Sequence, residues 1–258
     1  MVETMTGAAS ATVAGLVAGP LQRAEVVVAL PVALHLAVGG RASVCLSWAD
    51  AVRLPYSVHM TAAPVSSPGT GAVGVVGAGR VELPALTVRV TRWWQAPCPT
   101  VRPTRATIAV PPLDDPGTAT AVERLARSLS AQGSTVDAAV AGLLGRGPGL
   151  TPLGDDVLAG ALVTLRAAGA HRLADALARP VLARAPAATT FVSSALLAHA
   201  ARGECVPELA ALLHALGTPG QAAAEAAVLR LGHTSGAGLL HGVALALRAD
   251  SRDRRAAS

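Results

Sequence analysis

The chain has 258 residues, 52% of them hydrophobic, 2% aromatic and 14% charged, and its formal net charge is +5. A composition this apolar excludes intrinsic disorder, because there is ample surface to bury against the entropy of ordering, and the length suits one large domain or two small ones. Lysine and asparagine are both absent, which excludes Schiff-base catalysis, pyridoxal phosphate attachment, a Walker-type P-loop and N-glycosylation.

From the N-terminus, the first twenty residues carry Glu3 and lack a basic segment, so they read poorly as a signal peptide. Up to about Pro116 the grammar is that of strands and turns. Short runs rich in β-branched residues at 25–29, 43–48, 56–60, 74–76, 87–94 and 106–110 predict strands, separated by Gly and Pro clusters such as Gly39-Gly40. The alternation in Thr87-Val-Arg-Val-Thr-Arg-Trp is that of a half-buried strand. Trp93-Trp94 at its end is expected to fill a core or a domain interface. The run Gly-Val-Val-Gly-Ala-Gly79 superficially matches a dinucleotide fingerprint, but it leads into Arg80-Val-Glu-Leu-Pro rather than a helix. It is discarded.

Beyond Thr118, Ala and Leu recur at helical spacing. Helices are predicted over 118–130, 135–144, 152–168, 171–183, 188–202, 206–216, 219–231 and 235–248, several opening at Ser, Thr or Pro and closing at Gly. The fold class is therefore α+β. The expected organisation is a β-rich domain over 1–116, a helical domain over 117–249 and a flexible tail over 250–258, with Pro111-Pro-Leu-Asp-Asp-Pro-Gly117 as the linker. Mean hydropathy is +0.48, yet no stretch offers the ~20 mainly apolar residues of a membrane span. The arginines cluster only at 248–255, interleaved with Asp, and the few aromatics cannot build a base-stacking platform. The reading is a cytoplasmic protein with neither a membrane nor a nucleic-acid partner. Cys45, Cys98 and Cys205 are widely spaced, unlike a disulfide scaffold or a structural zinc site.

Two helix starts carry the chemistry. In Gly147-Pro-Gly149-Leu150-Thr151-Pro-Leu-Gly154-Asp155-Asp156 the glycines free the backbone, Thr151 can cap and Pro152 suits the first turn. Such an end offers unpaired N–H groups and partial positive charge to a carboxylate or phosphate. Asp155 and Asp156 have a plain role as compensation of the helix dipole, and Asp155 should flank the packed face. The second start is Leu231-Gly232-His233-Thr234-Ser235-Gly236, where a loop histidine stands beside a hydroxyl-rich turn. His241, inside the following helix, reads as a packed histidine. Thr189, Thr190, Ser193 and Ser194 fall at helical spacing; their hydroxyls either bond back to the preceding turn or supply neutral donors to an anion. His199 is given no role.

Together, the 147–156 segment, Thr190 with Ser193-Ser-Ala-Leu-Leu197, Gly203, Gly-His-Thr-Ser-Gly at 232–236 and Leu239-Leu-His-Gly242 resemble one bacterial family, long a domain of unknown function. It is associated with AllH, a subunit of oxamate carbamoyltransferase. The resemblance covers about residues 140–248, and family members often show Ser where Leu153 stands and Asp where Gly238 stands. It implies a place in allantoin and purine breakdown, with two acyl-CoA-synthetase-like partner subunits. The reaction implied interconverts oxalurate plus phosphate with oxamate plus carbamoyl phosphate. On that basis the anionic substrate falls to Gly147, Gly149, Leu150, Thr151, Gly154, Thr190, Ser193, Ser194, Gly232, Thr234, Ser235 and Gly236. His233 would polarise the carbamoyl oxygen or act as acid and base. Asp155 or Asp156 would position the amide or a Mg²⁺ ion. The alternatives are a non-catalytic scaffolding or regulatory subunit, or a metal-dependent hydrolase of small carboxylates or amides. The hydrolase has no ExxH or HxxxH motif in support.

Overall fold

The computed structural model describes residues 2–40, 42–102, 106–130 and 135–256. Its packing divides the chain into two compact units, Met1–Ala96 and Pro97–Ser258, so the division falls ahead of the 111–117 linker. The architecture is α+β, a strand-built first unit and a helix-built second one.

In the first unit eight strands, β1 (Glu3–Ser10), β2 (Gln22–Leu30), β3 (Ala33–Val38), β4 (Ala42–Trp48), β5 (Ser57–Met60), β6 (Val73–Gly77), β7 (Arg80–Leu83) and β8 (Leu86–Trp94), accompany one short helix, α1 (Ala14–Val17). The strands close into a barrel in the order β1-β5-β4-β3-β2-β6-β7-β8, and closure leaves no sheet edge unpaired. Neighbouring pairs are antiparallel except β1–β8 and β4–β5, which are parallel. The register places Leu34 opposite Leu46, Leu46 opposite Val58 and Val58 opposite Ala9. Because side chains alternate across a strand, these buried residues form one apolar row on a single face. The discarded dinucleotide-like run proves to be β6 and its turn: Ala78 and Gly79 both take positive φ between the paired Gly77 and Arg80. That is the geometry of a two-residue hairpin loop whose twist matches its strands.

Three strands escaped the sequence reading, β1, β3 and β7. β1 is built of small residues because it must be: a Cβ on Gly7 would stand 3.0 Å from the Val58 side chain and 3.2 Å from the His59 carbonyl. The strand expected at 106–110 is not formed, since those described residues have no regular structure. The segment is instead strapped across helices. Val101 N–H donates to the Ala167 carbonyl at 2.8 Å, the Thr107 carbonyl accepts from Gln221 at 2.7 Å, and the Pro111 carbonyl lies 2.8 Å from His241 Nε2. Trp93 also departs from expectation, being 46% exposed: consecutive residues of a strand face opposite ways, so the Trp pair cannot be buried together.

The second unit contains α2 (Pro116–Ser130), α3 (Val136–Leu143), α4 (Leu153–Ala167), α5 (His171–Ala188), α6 (Phe191–Ala200), α7 (Pro207–Ala215), α8 (Gln221–Leu229) and α9 (Ser235–Ala256). Each of the eight expected helices is present. α2 starts two residues earlier than expected because Asp115 caps it, accepting from Gly117 N–H at 3.2 Å and from Thr118 N–H at 2.8 Å, with Pro116 in the first turn. α5 continues through Pro180 and Pro186, and α9 continues to Ala256, through most of the expected tail. The centre of the unit is the crossing of α4 and α9. A Cβ on Gly160 would stand 2.4 Å from the Leu239 carbonyl, and one on Gly242 would stand 2.2 Å from the Val157 carbonyl. The two backbones touch with nothing between them. No described helix is long and apolar enough to cross a membrane.

The barrel carries an acid-sensitive group. His35, 3% exposed, sits 3.3 Å from the Tyr56 hydroxyl, and burial lowers its pKa to about 4. The folded barrel therefore resists a proton that the unfolded chain accepts, and stability falls as pH drops from about 6.5 toward 4. All three tryptophans, Trp48, Trp93 and Trp94, lie in this unit, so their fluorescence reports it selectively. The denaturation midpoint read by tryptophan emission should fall between pH 7 and pH 4.5, with a clearly shallower fall in His35→Gln; equal slopes would refute the assignment.

Candidate functional site

The loop before α4 is shaped by glycine. Gly147 has φ +115°, open to few L side chains, and a Cβ there would stand 2.9 Å from Leu153 N. The loop thus folds back on the start of α4, leaving Gly147, Gly149 and Leu150 exposed at its rim. Gly154 lies under that rim, where a Cβ would come 2.1 Å from the Leu143 carbonyl at the end of α3. Thr151 does not cap α4 as expected: Pro152 takes the capping position without a side-chain bond. The Thr151 hydroxyl lies instead 2.7 Å from the hydroxyl of Ser235, eighty-four positions along.

The start of α6 closes on the same loop. Thr189 and Thr190 precede that helix, where the sequence suggested helical positions. Thr190 caps it, accepting from Ser193 N–H at 3.0 Å while donating to the Leu150 carbonyl at 2.5 Å. Ser194 N–H donates to the Thr190 carbonyl at 2.9 Å. The first turns of α4, α6 and α9 are in this way tied through Leu150, Thr151, Thr190 and Ser235, and three helix ends with partial positive charge converge. Gly232 takes φ +58° in the turn before α9, and His233 is exposed two residues ahead of that helix. Thr234 and Gly236 join the first turn through backbone bonds, Gly238 N–H to the Thr234 carbonyl at 3.1 Å and Gly236 N–H to the Leu231 carbonyl at 3.0 Å.

The two carboxylates have different surroundings. Asp155, 2% exposed, is fully engaged: Oδ1 accepts Gly145 N–H at 2.8 Å and Oδ2 accepts the Thr189 hydroxyl. Burial raises its pKa, and these bonds, with a smaller contribution from Ser193, oppose the rise. Asp156, 6% exposed, leaves Oδ2 without a partner. Burial pushes Asp156 well above the ordinary carboxylate range; Ser235 opposes the shift and the charge of Asp155 adds to it. Asp155 is thus a brace holding the α3–α4 loop to the start of α6, and Asp156 is the carboxyl with unused capacity.

A resident Mg²⁺ does not suit this donor set. Both oxygens of Asp155 are taken, and no group of three or more His, Cys, Asp or Glu side chains among the described residues is arranged to hold a metal ion. Two features had no local signal in the sequence: the Thr189 and Gly145 partners of Asp155, and a polar cluster after α6. In that cluster His199 Nδ1 lies 2.5 Å from Glu204 Oε2, which also accepts from Arg202 at 2.9 Å. His241, by contrast, is a satisfied helix histidine against the Pro111 carbonyl.

Gly238 stands at the centre of the convergence. A Cβ on it would lie 2.7 Å from Asp156 Cβ and 2.8 Å from the Leu153 carbonyl, so this backbone has no room for a larger residue. Gly238→Ala should cost about 1–3 kcal/mol through overpacking, seen as a lower melting temperature, and Gly238→Asp should cost more. Asp156 also leaves a signature in pH dependence. A raised pKa means that folding takes up a proton, so its contribution weakens as pH rises above about 4 toward the raised value. In chemical denaturation at pH 5 and pH 8, Asp156→Asn should remove most of the alkaline loss of stability, with Asp155 supplying a smaller remainder. An unchanged pH slope would contradict the assignment.

No solved structure matches the chain. A family model described as oxamate carbamoyltransferase subunit AllH matches residues 143–247, which span the chain from the end of α3 to α9 and contain all three converging helix starts. Within its helical unit, the chain is therefore similar to the AllH family over those residues.

Proposed function

We propose that the chain serves an oxamate carbamoyltransferase as the subunit that binds the small anionic substrate, at the meeting point of α4, α6 and α9. The observation that carries this reading is the 2.7 Å contact between Thr151 and Ser235, which unites the two glycine-rich helix starts. Their N–H groups suit two anions, the carboxylate of oxalurate or oxamate and a phosphoryl group. In the reaction a phosphate oxygen attacks the carbamoyl carbon of oxalurate, the bond from that carbon to the amide nitrogen breaks, and the nitrogen takes up a proton as oxamate leaves. His233, exposed beside α9, is the group suited to donate to the carbamoyl oxygen or to move that proton. Asp156, with an unpartnered oxygen, positions the amide. Asp155 acts through the loop it braces and takes no proton in the reaction. Acyl-CoA-synthetase-like subunits complete the assembly, in the cytoplasm.

A non-catalytic scaffolding role is the second reading, favoured by the commitment of both Asp155 oxygens to bracing. The two readings separate in one experiment. Purified protein combined with its partner subunits should form carbamoyl phosphate from oxalurate and phosphate. His233→Ala and Asp156→Asn should each lower turnover by about 10²–10⁴-fold while the complex still assembles on size exclusion. Losses under tenfold in both variants would favour the scaffold.

A further inference from the structure

Two of the three cysteines, 107 positions apart in the sequence, are brought together in the helical unit. Cys205 N–H donates to the carbonyl of Pro97, the residue before Cys98, at 3.0 Å. Cys98 lies over the same loop: its Sγ is 3.8 Å from the Arg202 carbonyl and 3.2 Å from where a Cβ on Gly203 would stand. Cys98 is exposed and Cys205 buried, while the third thiol, Cys45, is fully buried in the barrel unit. We propose that Cys98 and Cys205 form a reversible redox pair, in which exposed Cys98 is the entry thiol and Cys205 the resolving thiol, taking a low-molecular-weight disulfide as oxidant. The backbone pairing at Pro97 and Cys205 holds the two residues on adjacent main-chain segments, the closeness that a disulfide requires.

The chemistry has two steps. The Cys98 thiolate attacks one sulfur of the small disulfide, breaking its S–S bond and releasing one small thiolate. Cys205 then loses its proton to solvent and attacks Cys98 Sγ, releasing the second small thiol. The protein thiols are oxidised by two electrons, and the small disulfide is reduced to two thiols. Burial first, and a neighbouring Cys98 thiolate second, push the Cys205 thiol up to about 12. The second step is therefore slow, and its rate follows the thiolate fraction of Cys205. Once Cys98 is in the mixed disulfide its charge is gone, and one cause of that shift with it. The cross-link ties the entry strap of the helical unit to the loop between α6 and α7.

The test exposes the full chain to oxidised glutathione, followed by digestion and mass analysis without reductant. A peptide linking Cys98 to Cys205 should appear, lighter by two hydrogens than the separate thiol peptides and reversed by dithiothreitol. Its formation from the mixed disulfide should accelerate by about tenfold per pH unit between pH 7 and pH 9. Cys205→Ser should stop at a stable glutathione adduct on Cys98, and Cys98→Ser should leave Cys205 unmodified. A stable Cys98 adduct in the parent chain, no reaction at all, or cross-links involving Cys45 to a similar extent would overturn the proposal. Circular dichroism of each variant ensures that the comparison is made between folded proteins.

Discussion

The structure of the helical unit depends on one constraint, the contact of the α4 and α9 backbones. With hypothetical Cβ atoms at Gly160, Gly238 and Gly242 falling within 2.2–2.7 Å of the opposite helix, no side chain can stand between the two axes at these points. Close approach of this kind fixes the relative rotation of two helices more tightly than interdigitated leucines do, because backbone atoms cannot change rotamer. Since α4 and α9 are held at their N-terminal ends, the turns that precede them are held too. The loop contact between Thr151 and Ser235 follows from that crossing.

Around this crossing the polar residues divide their work. Asp155 spends its carboxylate on Gly145 and Thr189, so it converts burial into the shape of a loop. Thr190 does the same for α6, donating to the Leu150 carbonyl while capping its own helix. Asp156, one residue on and turned toward α9, keeps an oxygen with no partner. A buried polar atom left unpaired costs free energy. It lies next to three helix ends, and under the proposed function a substrate group would recover that cost.

Legibility in the sequence varied with the range of the forces involved. The helices could be read because capping, proline placement and the recurrence of Leu and Ala are local, yet boundaries slipped where the cap was a neighbour outside the periodic run, as with Asp115 before α2. The barrel was harder. β3 reads Ala-Leu-His-Leu-Ala-Val, a composition equally at home in a helix, and only pairing with β2 and β4 makes it a strand. Residues 106–110 show the reverse: a strand-like run without regular structure, whose Thr107 carbonyl accepts from Gln221 of α8.

From local spacing it follows which segments are helical, that glycine-rich turns precede α4 and α9, and that two carboxylates follow the first of them, with Asp155 flanking the packed face. These properties depend on residues within a few positions of one another. Tertiary structure alone decided that the turns meet, that Asp155 is consumed as a brace while Asp156 is not, and that Cys98 and Cys205 become neighbours. Those outcomes depend on contacts between residues tens of positions apart, which the close crossing of two helices settles and which no local spacing encodes.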